Sequence, residues 1–240
     1  MKSEDVMISI RRSAERGHVN HGWLDSYHSF SFGEYHDSKH VQFGSLRVIN
    51  EDRIVEGAGF GTHTHSNMEI ISYVLEGALS HKDSMNNETV IRPGEVQCMT
   101  AGSGISHSEH NHVAQTTHFL QIWIVPSRIG LKPSYEQREY PDSEKRVALR
   151  LVVSETGECN SVSVHQDVRI YAGLFTGEEK ARLELAPGRI AYVHVVRGAL
   201  SVNDTRLVAG DAAKFTIERS VCIAYGADAE VLVFDLSPLS

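Results

Sequence analysis

The sequence predicts an all-β chain built as two related barrel or sandwich halves. Short β-type runs separated by Gly, Pro, Asn and Asp recur along its 240 residues, and convincing long amphipathic helices are absent. An internal echo between the halves is the third observation. In chain order the runs cover residues 45–50, 70–75, 119–125, 191–196 and 231–236. Each has strand length, is rich in Val, Ile, Leu or aromatic residues and is bounded by turn formers. Such spacing favours a sandwich or barrel over alternating β-α units. Residues 126–146 carry Pro126, Pro133, Pro141 and many charges, and read as a linker.

The echo pairs Tyr73-Val-Leu-Glu-Gly-Ala-Leu-Ser80 with His194-Val-Val-Arg-Gly-Ala-Leu-Ser201, at an offset of 121 residues between Gly77 and Gly198. A polar turn follows each, then a Gly-acid step, Gly94-Glu95 and Gly210-Asp211. The repeated order of strand, Gly turn, strand and Gly-acid turn indicates a duplicated β unit.

Composition narrows the function classes. Hydrophobic residues make up 41% and charged residues 22%, enough apolar material for a sizeable core. A net charge of −8 argues against direct nucleic-acid binding. No run approaches the roughly 18 apolar residues that span a bilayer. No long apolar stretch follows Met1-Lys2-Ser3-Glu4-Asp5, so a signal peptide is not expected. Cys98, Cys159 and Cys222 form neither a C-x-x-C pair nor a disulfide framework, which fits a reducing cytoplasm. The outlying number is 14 His, of which 12 lie at or before His118. Histidine ligates metals and carries protons at neutral pH, so chemistry is expected in the first half.

Two alternating pairs stand out there, His63-Thr64-His65 and His107-Ser108-Glu109. Residues i and i+2 of a strand share a face, so two neighbouring strands could converge three imidazoles and a carboxylate on one ion. Spacing alone does not select these residues, since His110-Asn111-His112 is another such pair.

Their context is more specific. Gly57 precedes His63-Thr64-His65, then come Glu69, a strand, Gly77, Pro93-Gly94, His107 and Asn111, an order that resembles the two-part cupin signature. The stretch His21-Gly-Trp-Leu-Asp-Ser-Tyr-His-Ser-Phe-Ser-Phe-Gly-Glu-Tyr35 resembles the N-terminal hallmark of pirin-type bicupins. Ser45-Leu-Arg-Val-Ile-Asn50, Met99-Thr-Ala-Gly-Ser-Gly-Ile-Ser-His-Ser-Glu109, Leu120-Gln-Ile-Trp123 and Val164-His-Gln-Asp167 match it in the same order. The chain is thus similar to the pirin family, and more closely to its bacterial quercetinase-type members.

That resemblance implies two cupin (double-stranded β-helix, jelly-roll) barrels: a metal-binding one at residues 1–135 and a second at 136–240. It implies one divalent metal ion held by His63, His65, His107 and Glu109: Fe(II), with Mn, Ni, Co, Cu or Zn as alternatives. Thr100 stands where cupins usually have Pro, and two extra residues precede His107, a variation shared by pirins that lets Glu109 take the place of Glu69 as ligand. Glu69 then becomes a supporting or salt-bridging residue. Transferring the ligand positions by the echo lands on Glu184, Ala186, Ile190, Ile223 and Tyr225, so the second barrel is expected to be metal-free. The implied activity is cleavage of a flavonol such as quercetin with O2 and release of CO, with Glu109 as catalytic base. Phe43, Phe60 and Trp123 are candidate pocket residues. The other histidines are expected to serve packing, surface or supporting roles, and His165 a contact between barrels. The alternative is a metal-containing regulatory module that works through protein contacts, for which no basic nuclear-localisation run is present.

Overall fold

The computed structural model describes residues 8–146 and 148–238; the acidic segment at 1–5 lies outside them. Strands β1 (Ile8–Arg11), β2 (Gly17–Asn20), β3 (Leu24–His28), β4 (Leu46–Ile54) and β5 (Gly59–His65) come first. They are followed by β6 (Glu69–Glu76), β7 (Leu79–Asp83), β8 (Glu88–Ile91), β9 (Glu95–Thr100), β10 (Ile105–His110), β11 (Thr117–Ile124) and β12 (Ser134–Glu139). After the one-turn helix α1 (Asp142–Lys145) come β13 (Arg150–Ser154), β14 (Val162–Ser163), β15 (Val168–Gly177) and β16 (Ala181–Glu184). The last strands are β17 (Ile190–Val202), β18 (Thr205–Val208), β19 (Ala212–Phe215) and β20 (Ser220–Leu236). The five apolar runs read from the sequence fall on β4, β6, β11, β17 and β20.

Two compact units result. One comprises Arg16–Tyr140 and Ser154–Asp167; the other combines the segment ending at Glu15 with Pro141–Val153 and the chain from Val168 onward. In the first unit, a seven-stranded sheet of order β12-β9-β6-β11-β4-β3-β2 is accompanied by a four-stranded sheet, β5-β10-β7-β8. Apolar residues of both sheets meet in one cluster: Leu24, Ile54, Val74 and Phe119 from the first, Leu79 and Ile91 from the second. Period-2 alternation supplies this inner face. Phe119 is fully buried at its centre. Phe119→Ala should therefore cost about 3–5 kcal/mol in urea unfolding. A loss below about 1 kcal/mol would contradict this packing.

In the second unit, β1-β19-β17-β20-β15-β13 run side by side, with β16 on β20 and β18 on β17. Val193, Val195, Phe215, Val231 and Val233 belong to its core. The internal echo has a structural counterpart. Gly77 (φ 75°) and Gly198 (φ 67°) both take left-handed backbone at the same point of their units. A Cβ on Gly198 would lie 2.3 Å from the Asp228 carbonyl oxygen, and one on Gly77 2.8 Å from Thr117 Oγ1. Only glycine meets both the turn and the close approach. The first unit breaks into β6 and β7 there, whereas β17 continues through with shifts of register.

The linker reading of residues 126–146 needs correction. Ser134–Glu139 forms β12, the edge strand paired with β9 from Ser134↔Thr100 to Glu139↔Glu95, and α1 follows. An edge strand needs backbone pairing on one side only, so Glu136, Gln137 and Arg138 are tolerated and mask the strand in the sequence.

Candidate metal centre

The four-stranded sheet turns three alternating pairs toward the interior of its unit. His63 and His65 come from β5, His107 and Glu109 from β10, and His81 and Asp83 from β7. Register brings them together: His107 lies opposite His63 on one side and Asp83 on the other, and Glu109 lies opposite His81. A bulge between His107 and Glu109 sets Glu109 against Phe60.

His63, His65 and His107 form a compact cluster whose donor atoms all lie within 4.8 Å of one another. Ring centroids are 4.7 Å apart for His63–His65, 4.5 Å for His63–His107 and 4.9 Å for His65–His107. Glu109 is not in this group; its carboxylate clusters with His107 and His81 within the same distance. His107 is therefore common to two donor sets.

The chemistry of these side chains fits a cation. His63 Nδ1 is 2.8 Å from the Gly61 carbonyl oxygen. Donation there fixes the tautomer and leaves Nε2 as the free donor atom. Both ring nitrogens of His107 are buried without a hydrogen-bond partner. Such a group costs about 1–3 kcal/mol unless something binds it. Burial, then the neighbouring charges of His63, His65 and His81, pushes the His107 pKa down to about 3. Burial and His63 lower that of His65 to about 4. At neutral pH these are neutral imidazoles with lone pairs available to a metal.

Glu109 reaches across to the seven-stranded sheet. Ser72 Oγ donates to its Oε1 at 3.2 Å and Gln121 Nε2 to its Oε2 at 2.8 Å. Ser72 and Gln121 are direct cross-strand partners on β6 and β11, which explains why they present donors together. Burial, with the charge of Asp52 adding to it, raises the Glu109 pKa to about 7. Asp52 is itself raised to about 7 by burial and accepts a hydrogen bond from Ser26 Oγ. His28 Nε2 lies 2.9 Å from that hydroxyl oxygen.

A cavity of about 390 Å³ adjoins this region, lined by Trp23, Phe32 and Phe60 and by Ser26, Asp52 and Gln121 among others. Gln121 contacts both the cavity and Glu109. Of the three aromatics singled out in the sequence, Phe60 lines the cavity. Trp123 packs 5.0 Å from the His65 ring and donates to Gln121 Oε1. Phe43 is not among the lining residues.

The remaining candidates separate cleanly. Glu69 lies on the opposite face of β6 from Ser72, fully buried, accepting from Thr100 Oγ1 at 2.8 Å and facing His165 Nδ1 at 3.3 Å. It thus lies against Thr100 and His165 and does not enter either donor set. His110 and His112, the competing H-x-H pair, stack 5.6 Å apart and line a different cavity, outside both donor sets. His118 pairs with Glu51 and His18 with Asp25. The sequence reading gives His81 a packing or supporting role, yet it lies among the donors. The His81-Lys82-Asp83 alternation is the signal that points to it.

An antiparallel double-sheet fold with imidazole and carboxylate donors gathered on one of its sheets defines the first unit as a cupin, and the chain carries a second cupin domain with no such donor cluster among its described residues. The Pirin family model matches residues 9–124, and a model described as quercetinase C-terminal cupin domain matches 151–236. The chain belongs to the pirin family. It is 42% identical over 234 residues to a protein from Escherichia coli (strain K12) named quercetin 2,3-dioxygenase, covering 97% of this chain and all of that one. A Caulobacter vibrioides pirin-like protein is 35% identical over 95% of this chain and 99% of its own. The crystal structure of the bacterial pirin YhhW from Escherichia coli in complex with nickel(II) superimposes with a TM-score of 0.92 at 42% identity. It covers 97% of this chain and 100% of that one. Among the described residues, no helix is long and apolar enough to cross a membrane.

Proposed function

We propose that the protein is a metal-dependent dioxygenase that opens the heterocycle of flavonols such as quercetin with O2 and releases CO. The observation that carries this reading is the cluster of imidazoles from His63, His65 and His107. The 42% identity to a quercetin 2,3-dioxygenase supports it. We assign one divalent ion to His63, His65, His107 and Glu109 in the N-terminal barrel at residues 1–135, and none to the barrel at 136–240. Nitrogen and carboxylate donors suit Fe(II), our assignment, and also accept Mn, Ni, Co, Cu or Zn. When bound, such an ion supplies Lewis acidity toward a hydroxyl oxygen and open positions for dioxygen chemistry.

The chain's own residues then have distinct tasks. Glu109, a buried carboxylate beside the imidazole cluster, is our candidate for accepting the proton of the flavonol 3-hydroxyl. Ser72 and Gln121 hold its two oxygens in place. Trp23, Phe32 and Phe60 offer apolar surface to a flat ring system and exclude water from it. The reading calls for a flavonol-like small-molecule substrate and O2, with no direct nucleic acid and no membrane; it leaves room for a protein partner, which the sequence does not indicate, and puts the enzyme in the cytoplasm.

The test is to load the purified chain separately with Fe(II), Mn, Ni, Co and Cu and follow quercetin loss under air. Turnover with at least one ion, absent from the metal-free chain, is the expected result. No turnover with any of them would favour the regulatory alternative.

A further inference from the structure

The donor sets of the first unit overlap without coinciding, and the inner one has its own supporting structure. His81 on β7 has a fully buried side chain. Its Nε2 lies 3.2 Å from Asp83 Oδ2, and its Nδ1 is buried with no hydrogen-bond partner. Asp83 is in turn anchored by the turn that follows β7. The backbone N–H groups of Met85 and Asn87 donate to its Oδ1 at 2.9 and 3.0 Å, and Asn87 Nδ2 donates to its Oδ2 at 2.8 Å. An imidazole held through one nitrogen by an anchored carboxylate, with the other nitrogen bare, is how proteins orient a metal-ligating histidine. The neighbours complete the set: donor atoms of His81, His107 and Glu109 all lie within 4.8 Å of one another, and all three residues are buried. Two imidazoles and one carboxylate match the donor composition of a known class of first-row metal site.

We infer that the barrel contains a second cation position, formed by His81, His107 and Glu109, which a first-row divalent ion occupies in exchange with the position assigned above to His63, His65, His107 and Glu109. Because His107 and Glu109 belong to both, one ion fills one position or the other, and the stoichiometry stays at one per chain. His63 and His65 complete the outer position; His81 completes the inner one. The inference concerns where a cation binds and does not depend on the flavonol reading.

The probe is Co(II), with binding followed by equilibrium dialysis, metal analysis and visible absorption. Wild type should bind one Co(II) per chain. The double variant His63→Ala/His65→Ala should still bind one, at least ~10-fold more weakly and with a changed visible spectrum; adding His81→Asn should weaken binding at least a further ~10-fold. A double variant that binds no Co(II), or that binds as well as the triple variant, would overturn the inner position while leaving the outer one standing. Wild type that binds no Co(II) would overturn both. Far-UV circular dichroism checks that the variants fold. Should the triple variant not fold, anomalous diffraction from Co(II)-loaded wild-type crystals decides: density among His81, His107 and Glu109 at any loading supports the position, and density confined to His63, His65 and His107 rejects it.

Discussion

His107→Ala should abolish metal binding and flavonol turnover together, each by more than ~100-fold, because His107 is the one imidazole common to both donor sets. The effect should exceed that of His63→Ala, which leaves His81, His107 and Glu109 intact. Stability should behave differently. Both ring nitrogens of His107 are buried and unpartnered in the metal-free chain, so its removal relieves a desolvated polar group while opening a small void. The two effects oppose each other, and metal-free His107→Ala should unfold within about 1 kcal/mol of metal-free wild type. Metal analysis, a turnover assay and urea unfolding check the three statements. Retained metal and turnover would remove His107 from the centre of the site.

Asp52→Asn should stabilise the metal-free protein, and more so at high pH. The Asp52 carboxyl is buried, and its pKa is raised from 3.8 to about 7. A carboxyl with a raised folded pKa favours folding below its unfolded value, and that advantage is lost as pH rises through the folded value. Above pH 7 the folded chain therefore carries a desolvated charge that a neutral amide would not. The amide of the substituted side chain keeps an oxygen to accept from Ser26 Oγ, so the hydrogen bond survives. The stability gain of the variant should be roughly 2–3 kcal/mol larger at pH 8 than at pH 5. Urea unfolding of the metal-free proteins at the two pH values measures it. Equal gains at both would show that Asp52 carries no such burden.

Much of this arrangement is legible in the sequence because strand periodicity and donor chemistry coincide. His63-x-His65 and His107-x-Glu109 lie on one face of their strands, and the echo marked by Gly77 and Gly198 corresponds to equivalent left-handed turns. Other features are hidden for physical reasons. His81 stands in a short polar strand, and nothing local shows that β7 would pair with β10 and set His81 against Glu109. Ser72 and Gln121 are ordinary polar residues until their cross-strand register aims both at one carboxylate. The strand at Ser134–Glu139 is obscured because its sheet-edge position demands little apolar character. The placement of Glu109 beside His81 as well as His107 likewise depends on sheet register, which a single sequence does not encode locally.

The most direct test of the central claim is the stoichiometry of gas exchange during quercetin turnover by the metal-loaded protein. Insertion of O2 with excision of one ring carbon requires one CO released for each O2 consumed and each quercetin lost, with His107→Ala silent under the same conditions. Quercetin loss without CO, or equal CO release by His107→Ala, would contradict a ring-opening dioxygenase built on these residues.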